Sequence, residues 1–202
     1  MVLALVATVL AAGCGAARRD ARELKGEFHV HVLGTSFPVH QVIATPATFE
    51  LRVQNAGSRA LSNIAVTIDS FSYTSNYARL AAAQRPVWVV EQGPGPEPPT
   101  PVESETISPP GGGQTAYVNT WALGRLAPES TATFEWRVIP VKAGRYTVHY
   151  TVAAGLAGRA RAVASTGSLS GALTANIAGS PPLRHVNPAT GKVEPGRFPS
   201  IP

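Results

Sequence analysis

Thr131-Ala132-Thr133-Phe134-Glu135-Trp136-Arg137-Val138 and, after a short Ala143-Gly144 break, Tyr146-Thr147-Val148-His149-Tyr150-Thr151-Val152 are the runs that decide the fold class. In each, every second residue is apolar and those between are polar or charged. That period of two is the mark of a strand with one face on a core and the other in water. Working outward, Phe28, Val30 and Val32 alternate with His29 and His31. Ala47, Phe49, Leu51 and Val53 alternate with Thr48, Glu50, Arg52 and Gln54, and Ile64, Val66 and Ile68 with Asn63 and Thr67. Five half-buried strands cannot all hide their apolar faces in one flat sheet, so two sheets packed face to face are expected.

Weaker strand signals lie at His40–Ala44, Pro86–Glu91, Thr115–Leu123, Arg159–Ala164 and Ala172–Ile177, for seven to ten short strands in all. Asn55-Ala56-Gly57-Ser58 and Ala143-Gly144 read as hairpin turns between them. The stretch 76–85 reads ambiguously, as a short helical excursion between the sheets or as a strand. Of 202 residues, 19 are Gly and 18 Pro, which suits many turns joining short strands and excludes a helix bundle. Residues 92–113 hold seven Pro and five Gly and read as a mobile insertion, and 180–202, without an apolar period, as an extended or disordered tail.

Of the formal charge of +5, the two ends, 1–26 and 180–202, carry +2 each. Residues 27–179 carry ten basic and nine acidic groups with no basic run, which argues against a nucleic-acid partner. Met1 to Gly13 is almost wholly apolar but shorter than the roughly 20 residues that cross a bilayer, so it reads as a signal segment. The only cysteine, Cys14, follows directly. Leu10-Ala11-Ala12-Gly13-Cys14 resembles the bacterial lipobox. The resemblance implies cleavage after residue 13, acylation of Cys14, a tether over 14–26 and a domain over 27–179 held outside the cytoplasm by a lipid anchor in the bacterial membrane. The other reading is a plain signal peptide with an incidental cysteine.

The order of turns carries a second resemblance. Leu51-Arg52-Val53-Gln54-Asn55-Ala56-Gly57, Leu61-Ser62-Asn63-Ile64-Ala65-Val66, Leu123-Gly124-Arg125-Leu126-Ala127-Pro128 and Ala143-Gly144-Arg145-Tyr146-Thr147-Val148 together resemble bacterial CARDB-type immunoglobulin-like modules, over roughly residues 45–155. Glu129 stands where those modules usually have Gly. The resemblance implies an all-β immunoglobulin-like sandwich of two antiparallel sheets, used as a spacer or adhesion module on surface proteins.

Catalytic chemistry finds little support. His29 and His31 fall on a polar strand face and His40 is separate, so they read as surface histidines, and no metal or cofactor is expected. The aspartates are Asp20, in the tether, and Asp69, at a strand end, which leaves a serine hydrolase without an oriented base. Gly167-Ser168-Leu169-Ser170-Gly171 has Leu at the centre, where a nucleophile elbow needs Ser. Glu91, Glu97, Glu103 and Glu105 sit in or beside the insertion and cannot hold the fixed separation glycosidases need. Trp88, Tyr117 and Trp121 flank the insertion and read either as core or as contacts for a ligand or partner. The expected function is therefore a non-catalytic, lipid-anchored module for adhesion, protein binding or spacing at the envelope. The alternative is a carbohydrate-binding module or an accessory subunit of an envelope enzyme.

Overall fold

The computed structural model describes residues 23–72, 86–95, 115, 119–180 and 183–196. Every regular element among them is a strand: β1 (Gly26–Ser36), β2 (His40–Val42), β3 (Ala47–Asn55), β4 (Ala65–Ile68), β5 (Phe71–Ser72), β6 (Trp88–Gln92), β7 (Thr120–Ala122), β8 (Thr131–Pro140), β9 (Gly144–Ala153), β10 (Ala160–Ala164), β11 (Ser170–Ala178), β12 (Arg184–Val186) and β13 (Val193–Pro195). A six-stranded sheet runs β10-β1-β3-β8-β6-β5, and a five-stranded sheet runs β2-β11-β9-β4-β7. In immunoglobulin lettering β1, β3, β8 and β6 are A, B, E and D, and β11, β9 and β4 are G, F and C. The fold is an all-β immunoglobulin-like sandwich.

Alternation in the sequence becomes alternation in space. On β3, Phe49, Leu51 and Val53 are buried while Thr48 and Arg52 are exposed, and in register with β8 Phe49 faces Trp136 and Leu51 faces Phe134. Trp136 is the hub of an aromatic core. Its ring lies 5.5 Å from Phe49, 5.5 Å from Trp121 and 5.7 Å from Phe134, and the Trp121 contact crosses from one sheet to the other. Such edge-to-face and stacked pairs add about 0.5–1.5 kcal/mol each beyond burial. Trp88 reaches across too, its indole N–H donating to Gln41 Oε1 at 2.8 Å and so tying β6 to β2. The signature corner of this fold is present: the Tyr146 hydroxyl, at the start of β9, donates back to the Ala143 carbonyl at 3.0 Å.

The structure corrects the sequence reading in four places. The sheets are mixed, because β1–β10, β2–β11 and β5–β6 are parallel pairs. A period of two tells which face a residue takes, not which way its neighbour runs. Asn55–Ser58 and Ala143-Gly144 are not hairpin turns, since β3 and β4 lie in different sheets, as do β8 and β9. The turn chemistry holds, but each connection crosses between layers. The tail contains a two-stranded ribbon, β12 paired with β13, where an extended or disordered segment was expected. Finally, residues ahead of 27 belong to the folded part, since Glu23 is already bonded into it. The insertion keeps only its first residues, Gln92–Gly95, within the description; 96–113 and the ambiguous 76–85 lie outside the described residues.

Candidate functional site

Antiparallel register gives the sandwich two poles. The β3–β4 connection and the β9–β11 connection lie at one, where β1 begins. The β8–β9 turn, the β1–β3 connection through β2 and the end of β11 lie at the other. Ten residues of β9 at about 3.3 Å each separate the poles by roughly 30 Å. Because the N-terminal segment enters at the first, we call it proximal and the other distal.

At the proximal pole the Glu23 side chain, in a residue only 5% exposed, accepts four backbone N–H groups from the loop leading into β10. Leu156 and Ala157 donate to Oε2 at 2.9 and 2.7 Å, and Arg159 and Ala160 to Oε1 at 3.1 and 2.9 Å. Burial works to raise the Glu23 pKa, but the amides favour the anion and hold it below the usual carboxylate value. Two further bonds fix the segment: Leu24 N–H to Ser62 Oγ at 3.3 Å and Gly26 N–H to the Arg159 carbonyl at 3.1 Å. Asn55, fully buried, braces the neighbouring loop by donating to the carbonyls of Arg59 and Leu126 while accepting the Gly57 N–H.

The distal pole carries an open cleft of about 430 Å3, lined by His40, Gln41 and Val42 of β2, Gly144 of β9 and Asn176, Ile177 and Ala178 of β11. Gln41 is locked in place by Trp88 and by its own bond to the Pro38 carbonyl, 2.8 Å. Gly144, at φ +137°, leaves room for the Tyr146 ring, which a Cβ there would crowd at about 3.0 Å. Around this pole and on the ribbon leaving it sit Val39, Val141, Leu183, Val186 and Val193, five of the seven exposed large apolar side chains among the described residues. Val186 and Val193, each 61% exposed, are paired in register across the ribbon. A two-stranded ribbon with apolar residues in water is marginal by itself and gains from a partner.

The residues singled out from sequence fall apart. Cys14 and Tyr117 lie outside the described residues. Trp88 and Trp121 are both 0% exposed and belong to the core, the first of the two readings the sequence offered. Of the acidic cluster, Glu91 pairs with Arg137 at 2.7 Å, and Glu97, Glu103 and Glu105 lie outside the description. His29 is exposed on β1, His31 is half-buried there, and His40 lines the distal cleft. Among the described residues no three His, Cys, Asp or Glu come together as metal ligands.

Two arrangements escaped sequence reading. One is Glu23. The other is Asp69, which does hold an oriented histidine: its Oδ2 meets His149 Nδ1 at 2.7 Å, while Oδ1 accepts the His149 N–H at 2.9 Å and the Ser70 hydroxyl at 2.7 Å. Burial raises the Asp69 pKa, and these donors outweigh it and bring it down. The wiring is not that of a triad, because Ser70 bonds the carboxylate and not the imidazole, and the pair is more than half exposed. The partners are 80 residues apart in sequence and meet through the β4–β9 pairing, which no local pattern announces.

No family model and no curated protein matches this chain. Solved structures similar to it include the CARDB domain of a Pyrococcus furiosus protein in complex with di-metal ions, 12% identical, covering 78% of this chain and 97% of that one at a TM-score of 0.39. Another is native alpha-2-macroglobulin from Escherichia coli, from domain MG7 to the C-terminus, 12% identical over 84% of this chain at 0.42; this chain spans only 21% of it. The human F-spondin reeler domain is 15% identical over 79% of this chain and 97% of that one, at 0.36. The fold assignment rests on the strand order and the tyrosine corner described above.

Proposed function

We propose that this β-sandwich is a lipid-anchored, extracytoplasmic module of the bacterial envelope that works by binding or spacing and not by catalysis. Cys14 takes the acyl chains, each buried methylene contributing about 0.8 kcal/mol, and the residues up to Arg22 form the tether. The observation that carries the reading is the polarity of the domain. The N-terminal segment is stitched into the proximal pole, so an anchored chain turns the cleft, the exposed valines and the β12–β13 ribbon away from the membrane, and an envelope protein docks there.

The glycan alternative has less support from the tryptophans, while Tyr117, the third aromatic offered for it, lies outside the described residues. All three tryptophans of the chain, Trp88, Trp121 and Trp136, are 0% exposed. An envelope enzyme served by this chain as accessory subunit remains one form of the protein partner.

The test is metabolic labelling with an alkyne fatty acid in the native host, with cross-linking on the same cells. The wild type takes label and partitions with membranes, and Cys14→Ala loses both. A labelled Cys14→Ala chain, or an unlabelled wild type, ends the anchoring reading. A cross-linked partner that is unchanged by Val186→Ser with Val193→Ser ends the distal-docking one.

A further inference from the structure

The loop Gly155–Ala160 is built around something negative. Four of its six residues turn their N–H groups onto one point, and among the described residues the partners of the Glu23 carboxylate there are these backbone amides. Converging backbone N–H groups make an anion-binding concavity, and bonds to an ionised acceptor are about twice as strong as neutral ones. Gly155 completes the shape. A Cβ on it would stand inside the carboxylate of Glu23, so the loop has space for the carboxylate only while residue 155 has no side chain. The backbone of Gly155 is not in the left-handed region, so an alanine there is unfavourable because of Glu23 and not because of φ.

We propose that the 155–160 loop is a carboxylate-binding site whose ligand is supplied by the same chain. Glu23 fills it and becomes the tie through which the N-terminal segment joins the sandwich. Placement explains the tie. Glu23 lies just before β1, and Ala160, whose N–H it takes, opens β10, the parallel neighbour of β1 with Gly26 opposite Ala160. The carboxylate thus caps the start of a parallel pair that has no hairpin to hold it in register. Resting on the tether reading above, the site is where load along the tether enters the fold, ahead of the β1–β3 and β1–β10 ladders.

The experiment follows the amide resonances of the full chain by NMR. In Glu23→Ala the site is vacant, and sodium formate moves the Leu156, Ala157, Arg159 and Ala160 amides along a saturable curve that sodium chloride does not reproduce. In the wild type formate leaves them in place, because Glu23 already occupies the loop. Gly155→Ala speeds hydrogen exchange at the same four amides about tenfold when Glu23 is present and has no effect when residue 23 is alanine. Glu23→Gln, which keeps one carbonyl acceptor, falls between wild type and Glu23→Ala, and undisturbed β3 and β8 resonances report that the sandwich is folded. Amides in Glu23→Ala that answer formate no more than chloride, or a Gly155→Ala effect of equal size in both backgrounds, overturn the proposal. Loss of the anchoring reading through the fatty-acid label would leave these outcomes unaltered.

Discussion

At the proximal pole four amides converge on Glu23, Leu24 and Gly26 are bonded to neighbouring loops, and a buried Asn55 donates twice and accepts once. At the distal pole the Tyr146 hydroxyl bonds the Ala143 carbonyl, Val141 N–H bonds the Val87 carbonyl and Gln41 is held by Trp88 and Pro38, and the surface around them exposes valines. The same sandwich therefore ends in two ways. One end meets a buried carboxylate with converging amides, as buried polar groups must be met. The other leaves apolar surface in water, which costs free energy that a partner would recover. A spacer needs nothing of the second kind, which is the reason to place the proposed binding, where there is any, at that end.

The comparison is broken hardest by emptying the proximal site. Glu23→Ala strands four N–H groups that now bond an anion, and we expect a loss of about 2–3 kcal/mol in urea or thermal unfolding, less than the sum of four charged hydrogen bonds because water reaches the opened loop. The pH dependence has a defined sign. The folded pKa of Glu23 lies below its ordinary value, so its contribution is complete above the unfolded-state pKa of about 4.3 and fades as pH falls through the folded value. Asp69, also lowered, adds a parallel pH dependence from the β4–β9 corner. Unfolding measured from pH 6 to pH 3 should therefore show a shallower loss in Glu23→Gln than in the wild type. Equal slopes would mean the carboxylate does not hold its loop in solution.

At the distal pole the equivalent change is smaller. Tyr146→Phe removes the hydroxyl bond to Ala143 and leaves the ring over Gly144, so a cost near 1 kcal/mol is expected, with no change in the pH profile. A cost as large as that of Glu23→Ala would erase the difference between the ends.

Much of this was legible in the chain. The strands announced themselves because alternation at Phe49-Leu51-Val53 and Phe134-Trp136-Val138 is enforced by a buried face, and the motifs at Asn55–Ser58 and Ala143-Gly144 mark the chain reversals, though these cross between sheets. What was not legible depends on long-range pairing. Nothing local to Glu23 says that its carboxylate is met by amides more than 130 residues later, and a Glu beside Lys25 in a charged segment reads as solvated tether. Likewise Trp88 lies among Val87, Val89 and Val90 without alternation, so its face was undecided until Gln41 and the second sheet supplied its partner. Glu129 is a case where the sequence anomaly was visible and its cause was not. Its φ is +61°, the left-handed region in which the usual Gly is at ease. Glu129→Gly should relieve that strain at some expense in unfolded-chain entropy, for a net gain of about 0.5 kcal/mol at the proximal end, read as a small rise in melting temperature. A loss would place the Glu129 side chain in a stabilising role that its exposure does not suggest.

The smallest effect on stability is expected where the proposed function is concentrated. Val186→Ser with Val193→Ser changes two exposed, paired side chains on the ribbon, and substitutions of this kind move stability by less than about 0.5 kcal/mol. If the distal pole is a presenting end, the same pair should strip the cross-linked partner from cells while leaving the unfolding curve of the isolated chain in place. Glu23→Ala should do the reverse, weakening the fold while the ribbon still captures its partner. That crossed outcome is what separates a pole that holds from a pole that binds. A double-valine variant that unfolds early would instead make the ribbon part of the sandwich's own packing, and its apolar face would then be spoken for within the chain.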